Sequence, residues 1–120
     1  MMKNTPITKQ ELRDKILKNE DITGIDYSHI TDMSHMFSEC TSLKEVPLLD
    51  TSKVTNMSYM FTGCSSLVEV PLFDTSEVTD MYDMFNGCSG LEHIPENFPS
   101  YDWSETESEA LKENYPEFFI

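Results

Sequence analysis

The sequence predicts an α/β solenoid: a stack of three 24-residue coils closed by a capping helix at each end. Each coil is expected to place a short parallel strand on one side and a short helical or 3₁₀ segment on the other. Three observations predict this. One 24-residue sentence recurs in register without an insertion, so Cys40, Cys64 and Cys88, the pairs Met36-Phe37, Met60-Phe61 and Met84-Phe85, and Pro47, Pro71 and Pro95 share one period. Within each sentence the apolar residues change spacing halfway. Both flanks break the pattern, as the lids of a stack must.

The elements follow in order. Residues 1–25 read as an N-terminal capping helix and a partial coil. Thr8 and Glu11 have capping-box spacing, Leu12 and Ile16 fall on one helix face, and Ile22 and Ile25 align with Val46 and Leu49. Residues 26–97 are the three coils, 26–49, 50–73 and 74–97. Their period lies within the roughly 20–29 residues of leucine-rich repeats. In the middle coil Leu67, Val70 and Leu72 have the L-x-x-L-x-L spacing of a short strand. The proline in each strand lacks an N–H and leaves a gap in the ladder. Met57, Met60, Phe61, Cys64 and Leu67 recur at i, i+3, i+4, i+7 and i+10, which predicts a helical face. Asp32, Asn56 and Asp80 stand where an N-cap would accept a free backbone N–H. Residues 98–120 read as an aromatic C-terminal cap, with a helix capped near Ser104 and Glu107 three residues on. Phe98, Tyr101, Trp103, Tyr115, Phe118 and Phe119 surround it, which suits a lid. The whole is one domain.

Charge restricts the partner. The chain has a net charge of −14. Residues 1–25 carry five basic and four acidic groups, whereas residues 26–97 carry two and twelve. A body this acidic repels nucleic acid and anionic membrane, so a protein partner is expected to be basic. The opening MMKNTPITKQELRDKI has no apolar run of the signal-peptide kind. No stretch approaches the roughly 18 apolar residues of a membrane span. A cytoplasmic location is expected, with surface exposure only for an excised fragment.

The residue types that carry chemistry do not converge. The cysteines lie 24 residues apart with no C-x-x-C and no paired histidine, so they read as core filler. Packed helical segments about 8–10 Å apart would also hold them too far apart for a disulfide. His29 and His35 occupy variable positions of the first coil, while His93 follows Glu92 on a strand. Asp26, Asp50 and Asp74 begin D-T-S-like turns in which Asp and Ser side chains accept backbone N–H groups. Met33, Met36, Met57, Met60, Met81 and Met84 fall at core positions of the repeat. No phosphate loop, nucleophile elbow or calcium loop is present. No catalytic residue, metal or cofactor is expected.

The pattern D-T-S-x-V-T-x-M-x-x-M-F-x-x-C-x-x-L-x-x-V-P-L, over residues 26–95, resembles the repeat of BspA-like leucine-rich repeat proteins, found in bacterial surface proteins and mycoplasma lipoproteins. The resemblance implies a leucine-rich-repeat-like stack used for protein recognition or adhesion, without chemistry.

The expected binding surface is the concave strand face, with Lys44 and Glu45, Val68 and Glu69, then Glu92 and His93. Glu77, Asp80 and Asp83 add a secondary acidic surface, and Tyr101 and Trp103 are lid candidates. The function expected is non-enzymatic binding of a basic protein, with no direct contact to nucleic acid or membrane; weak self-pairing is a further option. The alternative is an acidic, phage-borne decoy that mimics nucleic acid and blocks a basic site on its target.

Overall fold

The computed structural model describes residues 6–98 and 106–118. Helix α1 spans Lys9–Leu17. Thr8 Oγ1 accepts the Glu11 N–H at 3.0 Å, and Glu11 Oε1 accepts the Thr8 N–H at 3.0 Å. Two free donors of the first turn are thus satisfied at once. Leu12 and Ile16 are buried, so α1 closes the first coil with its apolar face. Lys9 Nζ donates to the Ser34 carbonyl at 2.8 Å, covering an acceptor that no earlier coil can reach.

The coils themselves correct the expected α/β solenoid. Among the described residues there is no β-strand and no sheet; three isolated parallel bridges, Asp32 to Asn56, Asn56 to Asp80 and Glu69 to His93, stand in their place. Two physical reasons are visible. Along the expected strand only one backbone bond per step is made, Val68 N–H to the Lys44 carbonyl at 3.2 Å and Glu92 N–H to the Val68 carbonyl at 2.8 Å. The prolines, Pro47 and Pro71 and Pro95, follow within three residues and donate nothing. Burial also slips past the proline: Leu72 is 66% exposed and Phe73 is buried in its place. The inward residues are Leu67, Val70 and Phe73, a spacing of three that suits a three-fold extended chain rather than a pleated strand.

The expected helical segment is corrected too. It is a pair of tight turns, because each coil places two residues in the left-handed region: His35 and Glu39, Tyr59 and Gly63, Asp83 and Gly87, with φ between 50° and 78°. A right-handed helix does not pass through such positions. The backbone groups so released bond across the stack. The N–H groups of residues 33, 35, 37 and 39 donate to the carbonyls of 56, 58, 60 and 62, and those of 57, 59, 61 and 63 to 80, 82, 84 and 86, all at 2.7–3.0 Å. The intervening N–H groups of 36, 38, 40, 60 and 64 close turns onto the residue three back. Coils joined this way lie about 4.8 Å apart, as strands do. The 8–10 Å of packed helices does not apply, and the distance argument against a disulfide falls with it.

Identical neighbours at this spacing produce columns of side chains. Phe37, Phe61 and Phe85 stack with centroids 5.7 and 5.8 Å apart and planes within 7° of parallel. Phe98 closes the column edge-on at 5.6 Å, and Phe73 joins from the side at 6.4 Å. Met33, Met36, Met57, Met60 and Met84 are buried around it, while Met81 is partly buried.

Turn chemistry fixes the corners. Asp26, Asp50 and Asp74 each accept the N–H of the serine two residues on, at 2.9–3.1 Å. Hydrogen bonding from the serine side chain and N–H favours the carboxylate form, the side chain leading at Asp50 and Asp74 and the N–H at Asp26, so all three groups sit below the usual aspartate range. Asp32, Asn56 and Asp80 repeat the arrangement, accepting from Ser34, Ser58 and Tyr82. They open turns, not helices. At the far end α2 spans Glu109–Asn114, followed by a 3₁₀ turn at Pro116–Phe118. Its N-cap is Ser108, not a residue near Ser104, which lies outside the described residues. Ser108 Oγ accepts the Leu111 N–H at 3.1 Å and donates to the Leu91 carbonyl, so one hydroxyl caps the helix and pins it to the third coil.

Two predictions follow from these turns. Glu39 holds the left-handed position that Gly63 and Gly87 hold in later coils. Glu39→Gly should stabilise by up to about 1 kcal/mol in urea melts, and Gly63→Ala should cost about 1 kcal/mol or more. A Cβ on Gly63 would meet the Glu39 carboxylate at 2.6 Å, but that flexible end can move, so the backbone sets the cost. A large loss for Glu39→Gly would contradict the turn geometry. The aspartate turns also predict acid sensitivity. Their folded pKa values lie below the unfolded ones, so their stabilisation is complete above the unfolded value and fades as pH drops below about 4. An Asp26→Asn/Asp50→Asn/Asp74→Asn protein, which keeps the acceptors, should lose less stability between pH 6 and pH 3 than the parent.

Candidate interaction surface

The cross-coil ladder determines which outward residues become neighbours. Backbone bonds place Lys44, Val68 and Glu92 in one row. The Glu69–His93 bridge places those two side by side in the next, with Glu45 at the same repeat position. All six side chains are exposed. Since no sheet forms, they line an irregular edge of the stack rather than a strand face. The edge continues into α2: Asn114 Nδ2 donates to the Glu92 carbonyl at 2.7 Å, and the Tyr115 ring meets His93 edge-on at 6.3 Å.

The second acidic group is less unified. Glu77 and Asp80 are exposed and Asp83 is half-buried. Asp80 is also a member of the Asp32–Asn56–Asp80 column, with Oδ1 bound to the Tyr82 N–H at 3.0 Å. Tyr101 and Trp103, the lid candidates, lie outside the described residues.

Two surface features escape a reading of the repeat by spacing alone. Leu48 is 68% exposed and Leu72 66%, at the same position of consecutive coils. Their signal was available: PLLD and PLFD each hold two adjacent apolar residues, and the third coil puts Glu96 at the outward one. Beside Leu48 lies a groove of about 370 Å³ whose lining includes Ile22, Ile25, Tyr27, Pro47 and Asp50. The second feature is an outer aromatic column. The His35 ring stacks on Tyr59 at 4.7 Å, and Tyr59 meets Tyr82 edge-on at 5.6 Å.

The reactive residue types are committed elsewhere. Cys64 and Cys88 are buried and their thiols donate to the carbonyls of Phe37 and Phe61, each at 3.0 Å. Burial pushes both thiols up to about 12, so neither supplies a thiolate near neutral pH. Cys40 is half-buried, with Arg13 Nη2 donating to its sulfur at 3.6 Å. His35 Nδ1 lies 3.5 Å from Ser38 Oγ, a serine–histidine approach that variable surface positions did not suggest. The serine proton is already engaged, because Ser38 Oγ donates to the Tyr59 carbonyl at 2.7 Å. Its contact to the histidine is at the limit of a hydrogen bond. His29 Nε2 donates to the Ile7 carbonyl at 2.7 Å and ties the chain before α1 to the first coil. Among the described residues no group of three or more His, Cys, Asp or Glu is placed to hold a metal ion. No helix among them is long and apolar enough to cross a membrane.

No curated protein and no solved structure matches the chain. Over residues 8–114 it matches the family described as mycoplasma protein of unknown function, DUF285, and the chain, repeats and both described helices included, belongs to that family.

Proposed function

We propose that the protein is a non-enzymatic interaction module that binds a basic protein through its acidic outward edge. The observation that carries this reading is unneutralised charge. The ion pairs of the described residues engage Lys9, Arg13, Lys15 and Lys112. Glu45, Glu69, Glu77 and Glu92 enter none of them, although the repeat sets the first two in one column. Like charges about 5 Å apart repel, and a cationic partner relieves that repulsion. The resemblance to BspA-like repeats, which serve recognition and adhesion, supports the same reading. The free cysteines suit a reducing compartment, which supports a site of action inside the cell.

A second reading is favoured by the charge of the repeats, with twelve acidic and two basic groups in residues 26–97. On it, the protein is a decoy that occupies the nucleic-acid site of a basic target. Salt dependence separates the two, because mimicry of a phosphate backbone fades steeply as salt rises.

The test is affinity capture from a lysate of the source cells, at low and high salt, beside a Glu45→Lys/Glu69→Lys protein. The module reading predicts a specific basic protein that the double variant loses, its capture weakened but not abolished at high salt. Capture of a nucleic-acid-binding protein at low salt alone supports the decoy. Equal capture by the parent and the double variant would remove the acidic edge from the account.

A further inference from the structure

The repeat leaves in water two large apolar side chains that its core does not use. Leu48 and Leu72 occupy one position in consecutive coils, and each is about two-thirds exposed, at 68% and 66%. Two residues further on, Asp50 and Asp74 continue a column begun by Asp26. Each carboxylate uses Oδ1 for its serine turn. Among the described residues no donor is recorded for Oδ2. One cation, Lys53, stands near Asp26 and Asp50; the next coil has Glu77 at that position. An apolar column therefore runs beside an ionised acidic column, and the groove past Leu48 joins the two, with Ile22, Ile25 and Tyr27 on its lining beside Asp26 and Asp50.

We infer that this face docks a basic amphipathic helix of a partner protein, its apolar side chains on Leu48, Leu72 and the groove and its cations along Asp26, Asp50 and Asp74. The inference rests on the reading of the protein as a protein-binding module; it adds a face distinct from the Glu45–Glu69 edge and names the partner's form. Charge complementarity selects a cationic occupant, and spacing selects a helix. Two coil steps advance about 9.6 Å. Two turns of helix, residue i to i+7, advance about 10.5 Å. Same-face residues of an extended strand lie about 6.7 Å apart, so by the third coil a strand has overshot by nearly 4 Å. One helical turn per coil keeps both columns in register. Glu96, which replaces the leucine in the third coil, ends the apolar strip and gives a cation of the helix a further carboxylate.

The probe is a fluorescein-labelled 18-residue peptide of Leu and Lys in helical pattern. A peptide of the same composition in strict alternation is its control. Fluorescence anisotropy at physiological salt follows binding to the full chain and to two variants. Leu48→Ser/Leu72→Ser removes the apolar column. Asp50→Asn/Asp74→Asn removes charge but keeps the turns, since Asn56 Oδ1 accepts the Ser58 N–H at 2.9 Å in this same chain. Thermal melts check that both variants fold. The helical peptide should bind, the alternating one at least tenfold more weakly, and each variant should lose at least tenfold. Binding by either folded variant at the parent affinity would overturn the assignment, as would equal binding of the two peptides or binding of neither. Retention of the lysate partner by Leu48→Ser/Leu72→Ser would refute this surface and leave the module reading standing; absence of any lysate partner would defeat the module reading itself.

Discussion

The fold depends on a ladder of backbone hydrogen bonds that joins each tight turn to the turn one coil further on. It exists because each coil holds two left-handed residues four positions apart, at 35 and 39, 59 and 63, 83 and 87. They bend the chain so that alternate N–H groups face the next coil while the others close local turns. A regular helix would spend the same donors internally and leave nothing to join the coils. The repeats thus gain cross-strand spacing without strands.

From that spacing come the side-chain columns, inside and out. Inward, Phe37, Phe61 and Phe85 stack nearly parallel, and the thiols of Cys64 and Cys88 each satisfy a carbonyl of the preceding coil. The strictness of the repeat at these positions has a packing reason: a column tolerates a changed member poorly when each ring is the wall of the next. Outward, the same translation sets Glu45 in line with Glu69 and Leu48 in line with Leu72. Surface chemistry is multiplied by the repeat just as core chemistry is. The acidic edge and the leucine strip are products of one 24-residue period.

The period, the capping box of the first helix and the aspartate turns were legible in the sequence. Thr8 and Glu11 announce the capping box, and Asp-x-Ser announces corners whose bonds the structure contains. The interior of each coil was not legible. Met57, Met60, Phe61 and Cys64 have helical spacing, yet two turns of a different kind bury the same residues. Glycine marks only one of the two left-handed positions, and only in the later coils; Glu39 and Tyr59 give no local sign of a positive φ, and His35 and Asp83 only the weak one of their residue type. The strand failed for a related reason. After Pro47 and Pro71 the chain turns the second of two apolar residues inward, so Leu49 and Phe73 enter the core and an exposed leucine appears where period-two counting puts a buried one. That slip hid the surface pair on which the docking inference stands.

The most direct measurement is detection of scalar couplings across hydrogen bonds by NMR, which names the donor and acceptor of each backbone bond. The ladder predicts a correlation from the Phe61 amide to the carbonyl carbon of Met84, from Met57 to Asp80 and from Phe37 to Met60. Correlations from Phe61 to Met57 and onward at i to i−4, with none between coils, would show a helical segment and contradict the account.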